Sequence, residues 1–238
     1  MPDPVFDDPR LAGIYDQLEE LRPDLAMYDA LVDELGARTV LDVGCSTGTF
    51  ACLLAGRGID VVAVDPARAS LDVARAKPNA DRVRWLHGDA TSLPDLDVEM
   101  VTMTGNVAQV FLTDTDWISN LQGIRAALRP GGHLVFETRD PAQAAWRGWN
   151  RQQTERSTSI TGVGKVETWT DVTQVSGPVV TLRQNYVLEG VVITSDSTLR
   201  FRDRAEVERS LVQSGFVVDD VHDAPDRPGL EFVFVASV

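Results

Sequence analysis

The chain has 238 residues, of which 43% are hydrophobic and 24% charged. Those are ordinary values for a protein that buries a real core, and they exclude a disordered chain, a collagen, a coiled coil and a disulfide mini-scaffold. The formal net charge of −14, with lysine only at 77 and 165 and no basic cluster, repels phosphate backbones, so no nucleic-acid partner is expected.

At roughly 150 residues per domain, the length suits one α/β domain with an elaboration. Cys45 and Cys52 are the only cysteines, and no histidine stands at ligand spacing, so neither a disulfide nor a metal site is expected. The opening residues lack the basic and apolar regions of a secretory signal, and no apolar run approaches the ~20 residues of a membrane span. A cytoplasmic protein without membrane contact is the expectation.

Residues 8–36 read as two helices broken at Arg22-Pro23. Leu11, Ile14, Tyr15, Leu18 and Leu21 share one face, and Tyr28, Leu31, Val32 and Leu35 share another. Asp24 is placed to cap the second helix and Gly36 to end it. From Thr39 the pattern alternates. Strands are predicted at 39–43, 60–65, 83–86, 98–103 and 133–137, with helices at about 48–58, after Pro66, and at 114–128. Arg129-Pro130-Gly131-Gly132 reads as a turn. Such alternation predicts right-handed crossovers and a doubly wound, mostly parallel sheet. It fails over 154–202, where period-2 segments at 166–170, 179–186, 191–194 and 198–201 are punctuated by glycines, predicting three or four inserted antiparallel strands. A helix over 203–215 and strands at 216–221 and 230–235 close a seven-stranded sheet. The expected organisation is an N-terminal helical cover (1–36), a core (37–153 and 203–238) and an antiparallel β insertion (154–202), whose strand edges could pair two copies into a homodimer.

The chemistry concentrates in Asp42-Val43-Gly44-Cys45-Ser46-Thr47-Gly48, a glycine turn leaving the first strand and entering a helix. The crevice beyond such a turn is the default ligand site of an open α/β sheet, and absent Cβ atoms let the backbone approach a ligand. No lysine completes a phosphate loop, and Ser46 interrupts a dinucleotide fingerprint. Three acids sharpen the reading. Asp42, within the first strand, could orient the turn or reach a cationic group through water. Asp65 ends the second strand 17 residues after Gly48, where it can chelate two ribose hydroxyls. Asp89 follows the third strand, where it can accept from an adenine amino group. A ligand with adenine, ribose, a cationic tail and no phosphate satisfies all three, and S-adenosylmethionine is that ligand.

With these motifs the chain resembles the class I S-adenosylmethionine-dependent methyltransferases over about residues 37–140. The resemblance continues through Val64-Asp65-Pro66, Gly88-Asp89-Ala90, Met103-Thr104-Gly105-Asn106 and Leu128-Arg129-Pro130-Gly131-Gly132. It implies a Rossmann-like fold and methyl transfer to a small-molecule substrate, with S-adenosylhomocysteine as product. It further implies that Gly44, Cys45 and Gly48 cradle the methionine part through backbone groups, Asp65 binds the ribose, and Pro66 packs on the adenine. Asp89 and Ala90 would read the adenine edge, with Thr104 beside the methionyl amino group. Ser46 stands where the family usually has glycine, and fits there if its φ is negative.

For the acceptor, Asn106 and Gln109 follow the fourth strand and offer amides without charge. Glu137, Arg139 and Asp140 could line the pocket but read first as a solvated turn with a local ion pair, and Trp146 and Trp149 could wall an apolar or cationic pocket but read first as packing against the inserted strands. With no strong base among these residues, positioning of an amine or activated acceptor is favoured over proton abstraction. The alternatives are an NAD(P)-dependent oxidoreductase, opposed by the interrupted fingerprint, and a non-catalytic S-adenosylmethionine-binding protein, supported by Ser46.

Overall fold

The computed structural model describes residues 2–19 and 22–238; Leu21, placed above on the first helical face, lies outside them. Helices α1 (Pro4–Asp7), α2 (Pro9–Leu18) and α3 (Asp24–Glu34) lead into β1 (Thr39–Val43), α4 (Thr49–Gly56), β2 (Asp60–Asp65) and α5 (Arg68–Ala74). Strands β3 (Val83–His87) and β4 (Val98–Met103) follow, then α6 (Asp114–Ala127), β5 (Leu128–Arg139) and α7 (Arg151–Thr154). An antiparallel stretch comprises β6 (Arg156–Ile160), β7 (Gly164–Ser176), β8 (Val179–Leu188) and β9 (Val191–Arg200), before α8 (Arg204–Gln213), β10 (Val217–Asp223) and β11 (Glu231–Ser237). None of the described helices is long and apolar enough to cross a membrane.

Seven strands form one sheet in the order β10-β11-β5-β4-β1-β2-β3. The pairs among β1 to β5 are parallel, and β11 runs antiparallel to both β5 and β10. The central strands are buried on both faces, which is why β1 and β4 read as apolar runs rather than alternations. Helices cover each face. Val40, Phe50, Leu54 and Leu71 belong to one core cluster, and Leu41, Val101, Leu121 and Phe136 to the other.

Several local expectations are corrected. Asp24 is the first residue of α3 rather than its cap, which is Pro23; its carboxylate is taken by Arg22. Asp8 is a true cap, accepting from the Arg10 N–H. Arg129–Gly132 is a distorted part of β5, across which the register against β4 shifts. The segments 191–194 and 198–201 are one strand, β9, and β6 was not anticipated.

The inserted strands make a separate four-stranded sheet, β6-β7-β8-β9. It packs on the N-terminal helices: Val5 and Leu11 meet Tyr186, and Ile14 meets Ile160 and Val166. The same helices grip the core. Asp16 accepts from the hydroxyls of Thr47 (2.6 Å) and Thr49 (3.2 Å) and pairs with Lys77 (2.6 Å), while Ser70 donates to the Phe6 carbonyl. The helices therefore lie between the inserted sheet and the glycine turn, roofing the carboxyl ends of β1 and β2.

Packing also explains a glycine that the sequence pattern did not single out. A Cβ on Gly123 of α6 would overlap the carbonyl of Ala90, a backbone atom that cannot rotate aside. Gly123→Ala should lower stability by about 1–3 kcal/mol or more. Thermal unfolding would measure this, and an unchanged midpoint would show that α6 has room to shift.

Candidate active site

The glycine turn is built from left-handed residues. Gly44 and Gly48 both have φ near +72°, a conformation that costs glycine nothing. The space left by their missing Cβ atoms is filled by the protein itself: Val107 sits on Gly44, and the Trp85 indole with Ala74 on Gly48. The N–H groups of Gly44 and Cys45 donate to the Val64 carbonyl, and that of Gly48 to the Cys45 carbonyl. With the Ser46 N–H given to Asp65, four of the five turn donors are engaged. Among the described residues, the carbonyls of Gly44 and Thr47 accept no backbone hydrogen bond. The turn thus presents acceptors, which suit a cationic group and not a pyrophosphate.

Asp65 is buried at the end of β2. One oxygen accepts from the Ser46 N–H (2.7 Å) and the other from the Ala67 N–H (2.8 Å), leaving each with a lone pair for a further donor. Burial pushes its pKa up, opposed by those two N–H bonds. Pro66 beside it is exposed. Asp89 is exposed and caps the short turn after β3 through one oxygen, which accepts from the Thr91 N–H and hydroxyl; the other oxygen is outside both bonds. Ala90, next to it, is buried. Asp42 lies in the core opposite Thr102 on β4 and accepts from its hydroxyl at 3.0 Å. Burial raises its pKa to about 7. Cys45 is a buried free thiol, its pKa raised by burial. Ser46 has φ +49°, so the condition under which serine would fit without strain is not met.

A second cluster joins the ends of β4, β5 and β11. Asn106 is 3% exposed and Gln109 fully buried. Their amides are not simply displayed to a ligand. The Asn106 Nδ2 donates to both Glu231 oxygens at 3.3 Å, and Gln109 Oε1 accepts from Arg139 at 2.8 Å. Glu231 is further paired with Arg227 (2.7 Å) and Arg139 (3.5 Å). Glu137 is not a solvated turn residue: it is 3% exposed, with Oε1 accepting from the Asn106 N–H at 2.8 Å. Burial, reinforced by the nearby Glu231, lifts its pKa to about 8 against the pull of that N–H. Asn106 Oδ1, Gln109 Nε2 and Glu137 Oε2 are buried without partners. Buried polar atoms are costly to leave unpaired, and three in one cluster mark where a ligand can bond. Asp140 caps a turn, and Trp146 stacks edge-on against Phe201 beside the inserted sheet.

A methyltransferase-domain family matches residues 40–132. The cypemycin N-terminal methyltransferase of a Streptomyces species is 35% identical over 147 residues, 60% of this chain and 60% of that protein. Residues 40–132 thus carry a methyltransferase domain. A ubiquinone biosynthesis O-methyltransferase of Acinetobacter baylyi is 29% identical over 133 residues, 52% of this chain and 56% of its own. The matched segments thus span about 60% or less of these curated relatives. In fold, the chain matches CalS10, an amino pentose methyltransferase of Micromonospora echinaspora solved with S-adenosylmethionine bound, at TM-score 0.73 and 18% identity, covering 94% of this chain and 97% of that one.

Within this methyltransferase core, Arg22 links the two groups of residues and was missed. It clamps Asp24, reaches the Thr104 hydroxyl at 3.4 Å and lies 3.7 Å from where a Gly105 Cβ would be. Nothing in its sequence surroundings announces this, because it arrives from the cover. Glu231 was missed as well; its signal was a lone acid opening an otherwise apolar strand opposite Arg139.

Proposed function

We propose that this chain transfers a methyl group from S-adenosylmethionine to an amine on a small-molecule or peptide acceptor. The supporting observation is the character of the uncommitted polar atoms around the crevice. The carbonyls of Gly44 and Thr47 and Asn106 Oδ1 are acceptors, and Glu137 Oε2 becomes one when its carboxyl is ionised, which suits a cationic cofactor and a cationic acceptor; Gln109 Nε2 is the one donor among the unpaired atoms of this cluster. The cofactor, when bound, supplies a methyl on positively charged sulfur. The Gly44 carbonyl and Thr104 would hold its ammonium, Arg22 its carboxylate, Asp65 its ribose and Asp89 its adenine amino group.

An amine attacks only when deprotonated. Glu137, with a pKa near that of many amines, is matched to take the proton an ammonium must lose, so the expectation of positioning without proton abstraction gives way to both. Asn106 Oδ1 would orient the remaining N–H, and the roof of α1, α2 and the inserted sheet would exclude water. The relative named for N-terminal methylation supports an amine acceptor.

The test is turnover of S-adenosylmethionine with short peptides and amino sugars, each free or N-acetylated, read as S-adenosylhomocysteine formed. Product is expected only with free amines. Turnover of hydroxyl acceptors alone would replace the amine reading, and binding without turnover on any acceptor would leave the non-catalytic one.

A further inference from the structure

Position 46 poses a physical puzzle. Its φ of +49° lies in the left-handed region, where glycine is free of strain and serine is not. The Ser46 Oγ is also buried and has no hydrogen-bond partner. Glycine would remove both costs at once. The hydroxyl cannot be satisfying a turn, because the Ser46 N–H already goes to Asp65 Oδ2 and the turn closes through other atoms, Gly48 N–H to the Cys45 carbonyl. A strained residue of the glycine turn with a buried, unpaired hydroxyl is accounted for if the partner is a ligand.

We propose that the Ser46 hydroxyl is a cofactor-binding group, sharing with Asp65 the ribose hydroxyls of the adenosyl moiety. The inference rests on the proposed function, in that it takes an adenosyl ligand as given. The location follows from connectivity. The Ser46 N–H and Asp65 Oδ2 are 2.7 Å apart, and a serine Oγ stands beside its own N–H. The hydroxyl and the carboxylate therefore flank one spot. Asp65 can only accept there, whereas a serine hydroxyl both donates and accepts, so the pair can hold two vicinal hydroxyls whichever way their protons turn. The chain would thus gain at position 46 a contact that a glycine turn lacks, at the cost of strain in the ligand-free protein.

Calorimetric titration with S-adenosylhomocysteine and with 5′-methylthioadenosine, which keeps the ribose and lacks the amino-acid tail, tests this on the whole chain. Ser46→Gly should bind both about tenfold more weakly, one hydrogen bond's worth. The ligand-free variant should melt a few degrees higher through relief of strain. Ser46→Ala, which removes the unpaired hydroxyl but keeps the left-handed Cβ, should lose the same affinity with a smaller gain in melting temperature than glycine gives. Equal affinity in wild type and both variants would overturn the proposal while leaving the function intact. Loss for S-adenosylhomocysteine alone would overturn the ribose assignment. Wild-type protein that binds neither compound would overturn the adenosyl reading itself, and this inference with it.

Discussion

Replacing Asp65 by alanine should weaken S-adenosylhomocysteine binding by between about tenfold and a thousandfold. A carboxylate bonded to two ribose hydroxyls contributes up to two charge-assisted hydrogen bonds, each worth roughly 1.5–3 kcal/mol. The structure adds a second consequence. Asp65 also fastens the turn, through the Ser46 N–H on one oxygen and the Ala67 N–H on the other. Truncation orphans both donors, and an unpaired buried donor costs about 1–3 kcal/mol, so the fold loses stability as well as its ligand. Asp65→Asn separates the two effects. Its amide oxygen keeps one of the N–H groups satisfied, yet its NH2 faces the other donor and carries no charge. Asparagine should therefore recover part of the melting temperature lost by alanine while recovering little affinity. Calorimetry alongside thermal melts would measure both, and wild-type affinity in Asp65→Asn would remove the side chain from the ribose site.

The core of this fold was legible because burial there is periodic and local. The expected spans 39–43, 60–65 and 98–103 coincide with β1, β2 and β4, each a short β-branched run bounded by glycine or acid. The inserted sheet was legible as a failure of the βα alternation. Its strand count blurred because β9 carries polar residues on both sides of its middle, Ser195 and Ser197 being buried among them, so the hydropathy pattern breaks where the strand does not. The turn chemistry was legible in part. Asp65 and the glycines stand where their spacing put them, but the φ of Ser46 is fixed by the turn closing on Val64, a tertiary demand that no local preference of serine reveals.

The acceptor cluster was the least legible, for a physical reason. Asn106, Glu137 and Glu231 are 31 and 125 residues apart along the chain in their bonded pairs, and each alone is an ordinary loop or strand-end residue. Glu137 looked solvated because charged neighbours, Arg139 and Asp140, follow it. In the sheet, β11 pairs with β5 through Glu231↔Arg139 and Val233↔Glu137, and that added strand carries the end of β5 into the interior. A residue's burial at a strand end is set by its neighbour across the sheet, here Val233, 96 residues further along the chain.

Burial of Glu137 has a consequence that needs no acceptor to observe. Its pKa is lifted to about 8 by loss of solvent, with Glu231 adding to the effect, whereas in the unfolded chain it titrates near 4.5. Between those values the native state holds a proton that the unfolded state has released. The stability contributed by this group is therefore complete below about pH 4.5 and is lost as pH rises through about 8, at a rate of at most about 1.4 kcal/mol per pH unit. Asp42, raised to about 7 by burial, acts in the same direction over a lower window. Ligand-free protein should melt at progressively lower temperature from about pH 5 to pH 9. Glu137→Gln keeps the shape of the protonated acid and an oxygen for the Asn106 N–H, so it should match wild type near pH 5 and exceed it by up to several kcal/mol near pH 9. Arg139, Arg227, Arg22, Asp24 and Glu231 surround the site in both proteins, so the difference between the two curves reports Glu137 together with its coupling to these charges. The same substitution removes the proton acceptor, and turnover of an amine should fall by about a hundredfold to ten-thousandfold, with S-adenosylhomocysteine affinity within a few-fold of wild type. Parallel pH–stability curves for the two proteins would show Glu137 to be ionised and solvated in the native state, and proton transfer to it would then lose its physical basis.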